Sequence, residues 1–142
     1  GKSMSKLIRD HTKRFLCDCI EGAAAAAGLT LNQIDFFVFS TPFAWFISLC
    51  INVLGIDPER TINLYPNYAN IGAALPATNL YYAAQLGKFR ENSIVLLFSI
   101  GASSTAGATV MRWGNVALAP ASSPNKPLSL VKNSEERSLA LC

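Results

Sequence analysis

The stretch from Phe36 to Ile56 contains no charged residue, and this limits the folds open to the chain. It is long enough to span a bilayer, which takes about 20 apolar residues. However, Ser40-Thr41-Pro42 interrupts it after a short apolar run, and Asp35 and Asp57 flank it without a basic cluster on either side. We therefore predict a strand followed by a helix, in preference to a membrane span.

The composition favours a single domain with a large core or an apolar surface. The chain has 142 residues, of which 51% are hydrophobic and 15% charged, and the charged share is below the quarter or so of soluble domains. The net charge of +3 comes without a basic run interleaved with aromatics, so we expect no nucleic-acid partner. One histidine and four cysteines lack the spacing of a zinc site, so no metal is expected. Without a secretory signal, we expect a cytoplasmic protein.

Helical and strand-like segments alternate along the first half of the chain. Lys6 to Ala27 has apolar residues at near-helical spacing and ends in alanines, and Gly28 fits the position after a helix C-terminus. The run Ile34–Phe39 is apolar and aromatic, which is typical of a strand covered on both faces. Thr41-Pro42 is typical of a helix start, so a second helix is predicted to extend to about Leu54.

The second half continues the alternation and ends in two strands. We predict a short strand at Thr61–Tyr65, a third helix from about Asn70 to Leu86, and strands at Ser93–Ile100 and Thr105–Trp113. The tight connection Gly101–Ser104 makes the last two strands antiparallel. Strands separated by helices imply a parallel sheet with helices on its faces. The prediction is therefore an α/β fold with a mixed, mostly parallel sheet.

The composition changes after Trp113. Pro120, Pro124 and Pro127 fall among alanine, serine and asparagine, and a charged run follows. Such a segment is typical of an extended connection rather than a packed element. We predict one domain from residue 4 to 118 and a tail or arm from 119 to 142.

Asn70 is the polar residue that most invites a functional interpretation. It stands between the predicted short strand and the predicted third helix, and therefore at a helix N-terminus. Helix N-termini present unpaired backbone N–H groups and partial positive charge, which suit developing anions. The residues alone leave two roles open, a helix cap or a donor to a substrate carbonyl.

Four strings occur in an order that points to one family. They are Gly28-Leu29 ahead of Ile34-Asp35, then Leu54-Gly55-Ile56, then Tyr68-Ala69-Asn70-Ile71-Gly72-Ala73-Ala74, and last Ile94–Leu97 through Gly101–Ser103 to Met111–Trp113. Together they resemble the C-terminal half of the ketoacyl synthase III (3-oxoacyl-acyl-carrier-protein synthase III) group of the thiolase superfamily. The resemblance covers about residues 4 to 118. It implies the C-terminal half of a thiolase-like fold.

The resemblance also implies an acyltransferase that handles acyl thioesters in fatty acid, polyketide or antibiotic biosynthesis. In that family a cysteine of the N-terminal half takes the acyl group. A histidine and an asparagine of the C-terminal half polarise the second thioester, and backbone N–H groups form an oxyanion hole. Asn70 falls on the family's asparagine, Ser40 on its histidine, and Gly101 and Ala102 on its glycine-rich loop. The implied substrate is an acyl-CoA or acyl-ACP thioester, with no permanently bound cofactor.

Ser40 departs from the family pattern. Serine donates a hydrogen bond, but it cannot act as a base or carry positive charge near neutral pH. Losing one donor to a developing oxyanion typically costs about 10²–10³ in rate. Decarboxylative condensation is therefore disfavoured. Acyl transfer to an alcohol or amine, as in divergent members of antibiotic biosynthesis, demands less of this position.

The resemblance implies that the chain needs a partner. Cys17, Cys19 and Cys50 fall on predicted helices, and none stands at a strand-to-helix elbow where a nucleophile is expected. We expect the N-terminal half of the same enzyme or a second subunit as partner, together with acyl carrier protein or a CoA thioester. We also expect self-association and no turnover by this polypeptide alone. The alternatives are a non-catalytic half that completes a site in another chain, and an unrelated α/β binding domain.

Overall fold

The computed structural model describes residues 2–101 and 105–120, with only the backbone of residues 2–9. Its helices and strands alternate before a closing hairpin, as predicted. In chain order they are α1 (Lys2–Ala26), β1 (Phe36–Phe39), α2 (Phe46–Leu54), α3 (Tyr65–Tyr68), α4 (Leu75–Gln85), β2 (Ile94–Ile100) and β3 (Ala106–Arg112). Short 3-10 turns occupy Leu31–Gln33, Pro58–Arg60 and Gly72–Ala74.

The three strands form one sheet in the order β1-β2-β3. The β1 strand pairs with β2 in parallel, with Phe36 opposite Val95, and β2 pairs with β3 antiparallel. A parallel pair requires a crossover, and here the crossover contains α2, α3 and α4. The α/β class and the mixed sheet are confirmed.

Both faces of the sheet are covered at β1, which explains why this strand has no polar residue. Successive strand residues point to opposite faces. Phe37 and Phe39 pack with residues of α1 and α2, whereas Phe36 and Val38 pack with Ala83 of α4. All four residues of β1 are buried. The result is a layer of helices on each side of the sheet.

The short strand predicted at Thr61–Tyr65 is wrong beyond its first residue. Thr61 makes a single parallel bridge to Phe37, and no strand follows. The Asn63 side chain accepts a hydrogen bond from the Tyr65 N–H and turns the chain into α3, where Pro66 occupies the first turn. A side-chain turn at Asn63 therefore replaces strand pairing after Thr61.

Two predicted helix starts are also wrong. The second helix begins at Phe46 rather than Thr41, because the Thr41 side chain is buried and the chain turns through Pro42–Trp45. The third helix, α4, begins at Leu75 rather than Asn70. Ala69 and Gly72 have positive φ angles, which a right-handed helix excludes.

The predicted boundary at residue 119 falls in a described segment. The Ala119 carbonyl accepts hydrogen bonds from Tyr81 Oη and Gln85 Nε2, so the chain crosses α4 before Pro120. The predicted tail from 121 onward lies outside the described residues. Within residues 2–101 and 105–120, no helix combines the length and apolarity needed to cross a membrane.

Candidate active site

Ser40 directly follows β1 at the carboxyl end of the strand. Its N–H donates to the Phe98 carbonyl at 2.9 Å, which continues the pairing of β1 with β2. Its Oγ accepts a hydrogen bond from the Ile100 N–H at 3.1 Å. Only 3% of the residue is exposed. The oxygen is thus fixed by the sheet, and the hydroxyl hydrogen remains able to donate.

Asn79 of α4 contacts both neighbours of Ser40. Its Nδ2 donates to the Phe39 carbonyl at 2.7 Å and approaches Thr41 Oγ1 at 3.4 Å. Asn79 is fully buried. This residue was not predicted from the sequence, although a signal was present. Leu75, Asn79 and Ala83 are spaced four apart, so an amide lies on the buried stripe of the helix.

Asn70 lies in an exposed turn, and not at the start of a long helix as predicted. Its Oδ1 accepts a hydrogen bond from the Gly72 N–H at 2.9 Å, so the side chain caps the turn before α4. This bond uses the oxygen of the amide. Within the described part of the chain, Nδ2 of Asn70 has no hydrogen-bond partner. Asn70 can therefore hold the turn and donate to a ligand at the same time.

The turn around Asn70 is strained and anchored. Ala69 has φ 51° and ψ −146°, a combination normally restricted to glycine, and its N–H donates to the Tyr65 carbonyl at 2.8 Å. The Tyr68 hydroxyl lies 2.6 Å from that of Tyr82, which attaches the turn to α4. Burial, followed by the hydrogen bond to Tyr82, raises the pKa of Tyr68 to about 12.

Gly101 closes the turn between β2 and β3. Its N–H donates to the Thr105 carbonyl at 2.7 Å, so this N–H is already engaged and is not free for an oxyanion. A Cβ at this position would collide with Thr105 Oγ1, so a larger residue would require the Thr105 side chain to move. Ala102, the other residue predicted here, lies outside the described residues.

The free cysteines Cys19 and Cys50 lie on helices and are poor nucleophile candidates. Burial raises the pKa of the Cys50 thiol well above its ordinary value. Burial, and to a lesser extent the charge of Asp18, raises the pKa of the Cys19 thiol. Because the thiolate is the nucleophile, neither residue is activated at neutral pH. Over the described residues, no group of three metal-ligating side chains could hold a metal ion.

The geometry brings some of the predicted residues together. Ser40 is hydrogen-bonded to Ile100, the residue immediately before Gly101. Asn70 is connected to the same region through α4, because Asn79 on that helix contacts the neighbours of Ser40. No hydrogen bond joins Asn70 to Ser40 within residues 2–101 and 105–120. Two polar donors, one buried and one exposed, therefore stand on connected elements.

Comparisons with known proteins show the family of this chain. Residues 24–113 match the family model of the 3-oxoacyl-[acyl-carrier-protein (ACP)] synthase III C terminal domain. The chain belongs to this family. The match contains Ser40, Asn70, Asn79 and Gly101, and it ends at Trp113 immediately after β3.

Individual relatives cover the same part of the chain. The beta-ketoacyl-[acyl-carrier-protein] synthase III of Chelativorans sp. strain BNC1 is 31% identical over 103 residues, or 72% of this chain and 32% of that protein. The chloroplastic synthase III B of Cuphea wrightii is 31% identical over 105 residues, or 71% of this chain and 26% of that protein. The matches thus span between about a quarter and a third of each relative.

Solved structures show the same fold. The beta-ketoacyl-[acyl-carrier-protein] synthase III of Thermus thermophilus has a TM-score of 0.73 at 30% identity, covering 78% of this chain and 35% of that one. The 3-oxoacyl-(acyl carrier protein) synthase III of Pseudomonas aeruginosa has a TM-score of 0.74 at 18% identity, covering 80% and 36%. The latter likeness concerns the fold alone. The predicted thiolase-like architecture is confirmed.

Proposed function

We propose that this chain forms the C-terminal half of an active site that transfers acyl groups from thioesters. The observation that carries the proposal is the setting of Ser40. Its Oγ accepts a hydrogen bond from the Ile100 N–H at the carboxyl ends of two parallel strands, and its own hydrogen remains available. Ligands of α/β sheets bind outside the carboxyl ends of strands, so this is the expected place for a substrate carbonyl.

Asn70 is the second donor in this proposal. Its Oδ1 is occupied by the Gly72 N–H, and the amide hydrogens of Nδ2 remain as donors. A donor held in advance stabilises a developing oxyanion without reorganisation at the moment of reaction. The strain at Ala69 supports this role, because strained backbone is common at functional sites.

Both donors are neutral, which bears on the reaction. An enolate formed by decarboxylation gains more from a protonated imidazole than from a hydroxyl. We therefore propose acyl transfer to an alcohol or amine rather than condensation. A cysteine of the other half would attack the thioester and release the carrier thiol. The acceptor would then attack the acyl-cysteine, lose its proton and regenerate the thiol.

The exposed surface of the chain supports a covering partner. Residues 69–74 are exposed in succession, and five of the six are apolar or glycine. Phe43 and Trp45 are stacked at 5.1 Å and are 43% and 37% exposed. Apolar surface of this kind marks protein interfaces. We propose the N-terminal half of the fold as its partner, in a cytoplasmic homo-oligomer supplied by acyl-ACP or acyl-CoA.

Cys19 and Cys50 of the isolated 142-residue chain should not accept an acyl group. The reason is the raised pKa of both thiols. After incubation with acetyl-CoA, mass spectrometry of the proteolytic peptides should show both residues unmodified. A stoichiometric acetyl adduct on Cys19 or Cys50 would contradict this expectation.

The proposal is tested by combining this chain with an N-terminal half, in one polypeptide or as a second subunit. Release of free thiol from acetyl-CoA is measured with alcohol or amine acceptors, and decarboxylation is measured with a malonyl thioester. We expect the first reaction to exceed the second. Faster decarboxylation would contradict acyl transfer, and the absence of both reactions would favour a non-catalytic half. In the same assay, Asn70→Ala should lower the rate of acyl transfer. Asn32→Ala, a change at an exposed amide in the turn Leu31–Gln33, is the control and should leave the rate unchanged.

A further inference from the structure

The buried amide of Asn79 completes the hydrogen bonding of the β1 edge. The N–H and C=O of a trans peptide point in opposite directions. Because the Ser40 N–H points to Phe98 on β2, the Phe39 carbonyl points away from β2. On that side, the only β-pairing of β1 among the described residues is the bridge between Phe37 and Thr61. The Phe39 carbonyl thus has no strand partner, and Asn79 Nδ2 provides the donor at 2.7 Å.

The orientation of this amide follows from the same contact. Rotation of the amide by half a turn would place Oδ1 against the Phe39 carbonyl, and two acceptors at that distance repel. In the orientation that donates, Oδ1 is buried without a hydrogen-bond partner. A buried acceptor without a partner is unfavourable. Among the described residues, the Asn79 side chain makes hydrogen bonds only with Phe39 and Thr41, the two neighbours of Ser40.

The same helix leads directly back to Asn70. The turn capped by Asn70 continues through Gly72–Ala74 into α4 at Leu75. From Leu75 to Asn79 the axial rise is about 6 Å, since each helical residue contributes about 1.5 Å. The contact with the neighbours of Ser40 thus lies about one turn from the segment that carries Asn70.

We propose that Asn79 is a positioning residue that sets the location of Ser40 relative to the Asn70 turn. Ser40 is held by β2 on one side, through Phe98 and Ile100, and by Asn79 on the other, through Phe39 and Thr41. This inference rests on the proposed function only in its consequence for catalysis. The positioning itself is a property of this chain and can be measured without any substrate.

The first test measures amide hydrogen exchange of the 142-residue chain by NMR. For Asn79→Ala, exchange at Ser40 and Ile100 should rise at least tenfold. Exchange at Asp35, whose N–H donates to the Ile94 carbonyl at the opposite end of the same strand pair, should change less than twofold. Gln85→Ala is the matched control, because Gln85 is an exposed amide on the same helix. Equal increases at Ser40 and Asp35, or none at Ser40, would overturn the proposal.

Asn79→Asp provides a second test that uses pH, and it also serves if Asn79→Ala does not fold. A protonated carboxyl can donate to the Phe39 carbonyl, whereas a carboxylate repels it. Burial raises the pKa of such a carboxyl, so the donor is present at low pH and lost as pH rises. The quantity compared is the ratio of the Ser40 exchange rate in Asn79→Asp to that in the unsubstituted chain at the same pH. This ratio should be near one at low pH and should increase at least tenfold as the pH rises. A ratio independent of pH would overturn the proposal.

The catalytic consequence is tested in the protein combined with its N-terminal half. Asn79→Ala should lower kcat about tenfold or more and change KM less than twofold, because Asn79 does not touch the substrate. Gln85→Ala should leave both constants unchanged. An unchanged kcat beside increased Ser40 exchange would overturn the catalytic consequence. If the unsubstituted protein shows no acyl transfer, the proposed function fails, and the exchange experiments still decide the positioning.

Discussion

The Ser40 region and the Asn70 turn differ in how the protein holds them. Ser40 is buried and bonded to Phe98 and Ile100 of the sheet. Asn70 is exposed, and its turn depends on one side-chain bond to Gly72 and on a strained Ala69. The sheet core therefore fixes the first donor, whereas local turn chemistry and the Tyr68–Tyr82 contact fix the second. The two regions should respond differently to mutation.

The largest change in stability is expected for Phe98→Ala, which affects the sheet core beside Ser40. Phe98 is fully buried, with its ring 6.3 Å from that of Phe39 and 6.4 Å from that of Phe46. Removing a buried phenylalanine ring costs about 3–5 kcal/mol in the free energy of unfolding. Urea denaturation should show this loss, together with faster amide exchange at Ser40. Gln85→Ala should remain within about 0.5 kcal/mol of the parent. A loss below about 1 kcal/mol for Phe98→Ala would mean that the sheet core does not fix Ser40.

In the Asn70 turn we expect a smaller change in the free energy of unfolding, with the opposite sign. Ala69→Gly removes the Cβ that makes the positive φ unfavourable, and it should stabilise the fold by about 1 kcal/mol. Ala73→Gly is the matched control, because Ala73 is exposed in the adjoining 3-10 turn and has no positive φ. That change should destabilise the chain by about 0.5–1 kcal/mol. Thermal unfolding measures both variants. Stability changes of the same sign in the two variants would argue against strain at Ala69.

The smallest change in stability is expected at alkaline pH, and it involves the hydroxyl contact between Tyr68 and Tyr82 that attaches the turn to α4. The pKa of Tyr68 is raised in the folded state to about 12, whereas an unfolded tyrosine has a pKa of about 10. Between these values the unfolded chain loses the proton first, so stability falls as pH rises. Tyr68→Phe should reduce the slope of unfolding free energy against pH in this window. Tyr65→Phe is the control, and an equal slope in both variants would contradict the role of Tyr68.

The sequence was sufficient to predict β1, β2 and β3, but it did not predict the turns, and it predicted a further strand at Thr61–Tyr65 that does not form. The strands β1, β2 and β3 consist mostly of apolar or β-branched residues, and their predicted positions agree with the structure to within two residues. The helix starts at Thr41 and Asn70 were wrong because composition does not reveal backbone angles. A positive φ at Ala69 is unexpected for a residue with a Cβ, and only the tertiary fold imposes it.

The sequence indicated only part of the candidate site, because contacts between residues that are distant along the chain depend on the tertiary fold. Ser40 and Asn70 were identified from local strings, and the structure places them on connected elements. Gly101 was identified as a loop residue, but its N–H is used by Thr105. Asn79 was missed because its partner, the Phe39 carbonyl, is 40 residues away along the chain. A polar residue on a buried helical stripe was the only sign of it.

The claim that Ser40 and Asn70 act on one substrate carbonyl is tested most directly by a double-mutant cycle. In the protein combined with its N-terminal half, kcat/KM for acyl transfer is measured for Ser40→Ala, Asn70→Ala and the double variant. Each single change should lower kcat/KM by about 10²–10³, and the double variant should lose far less than the product of the two effects. Effects that multiply, or an unchanged rate for either single variant, would contradict a shared carbonyl.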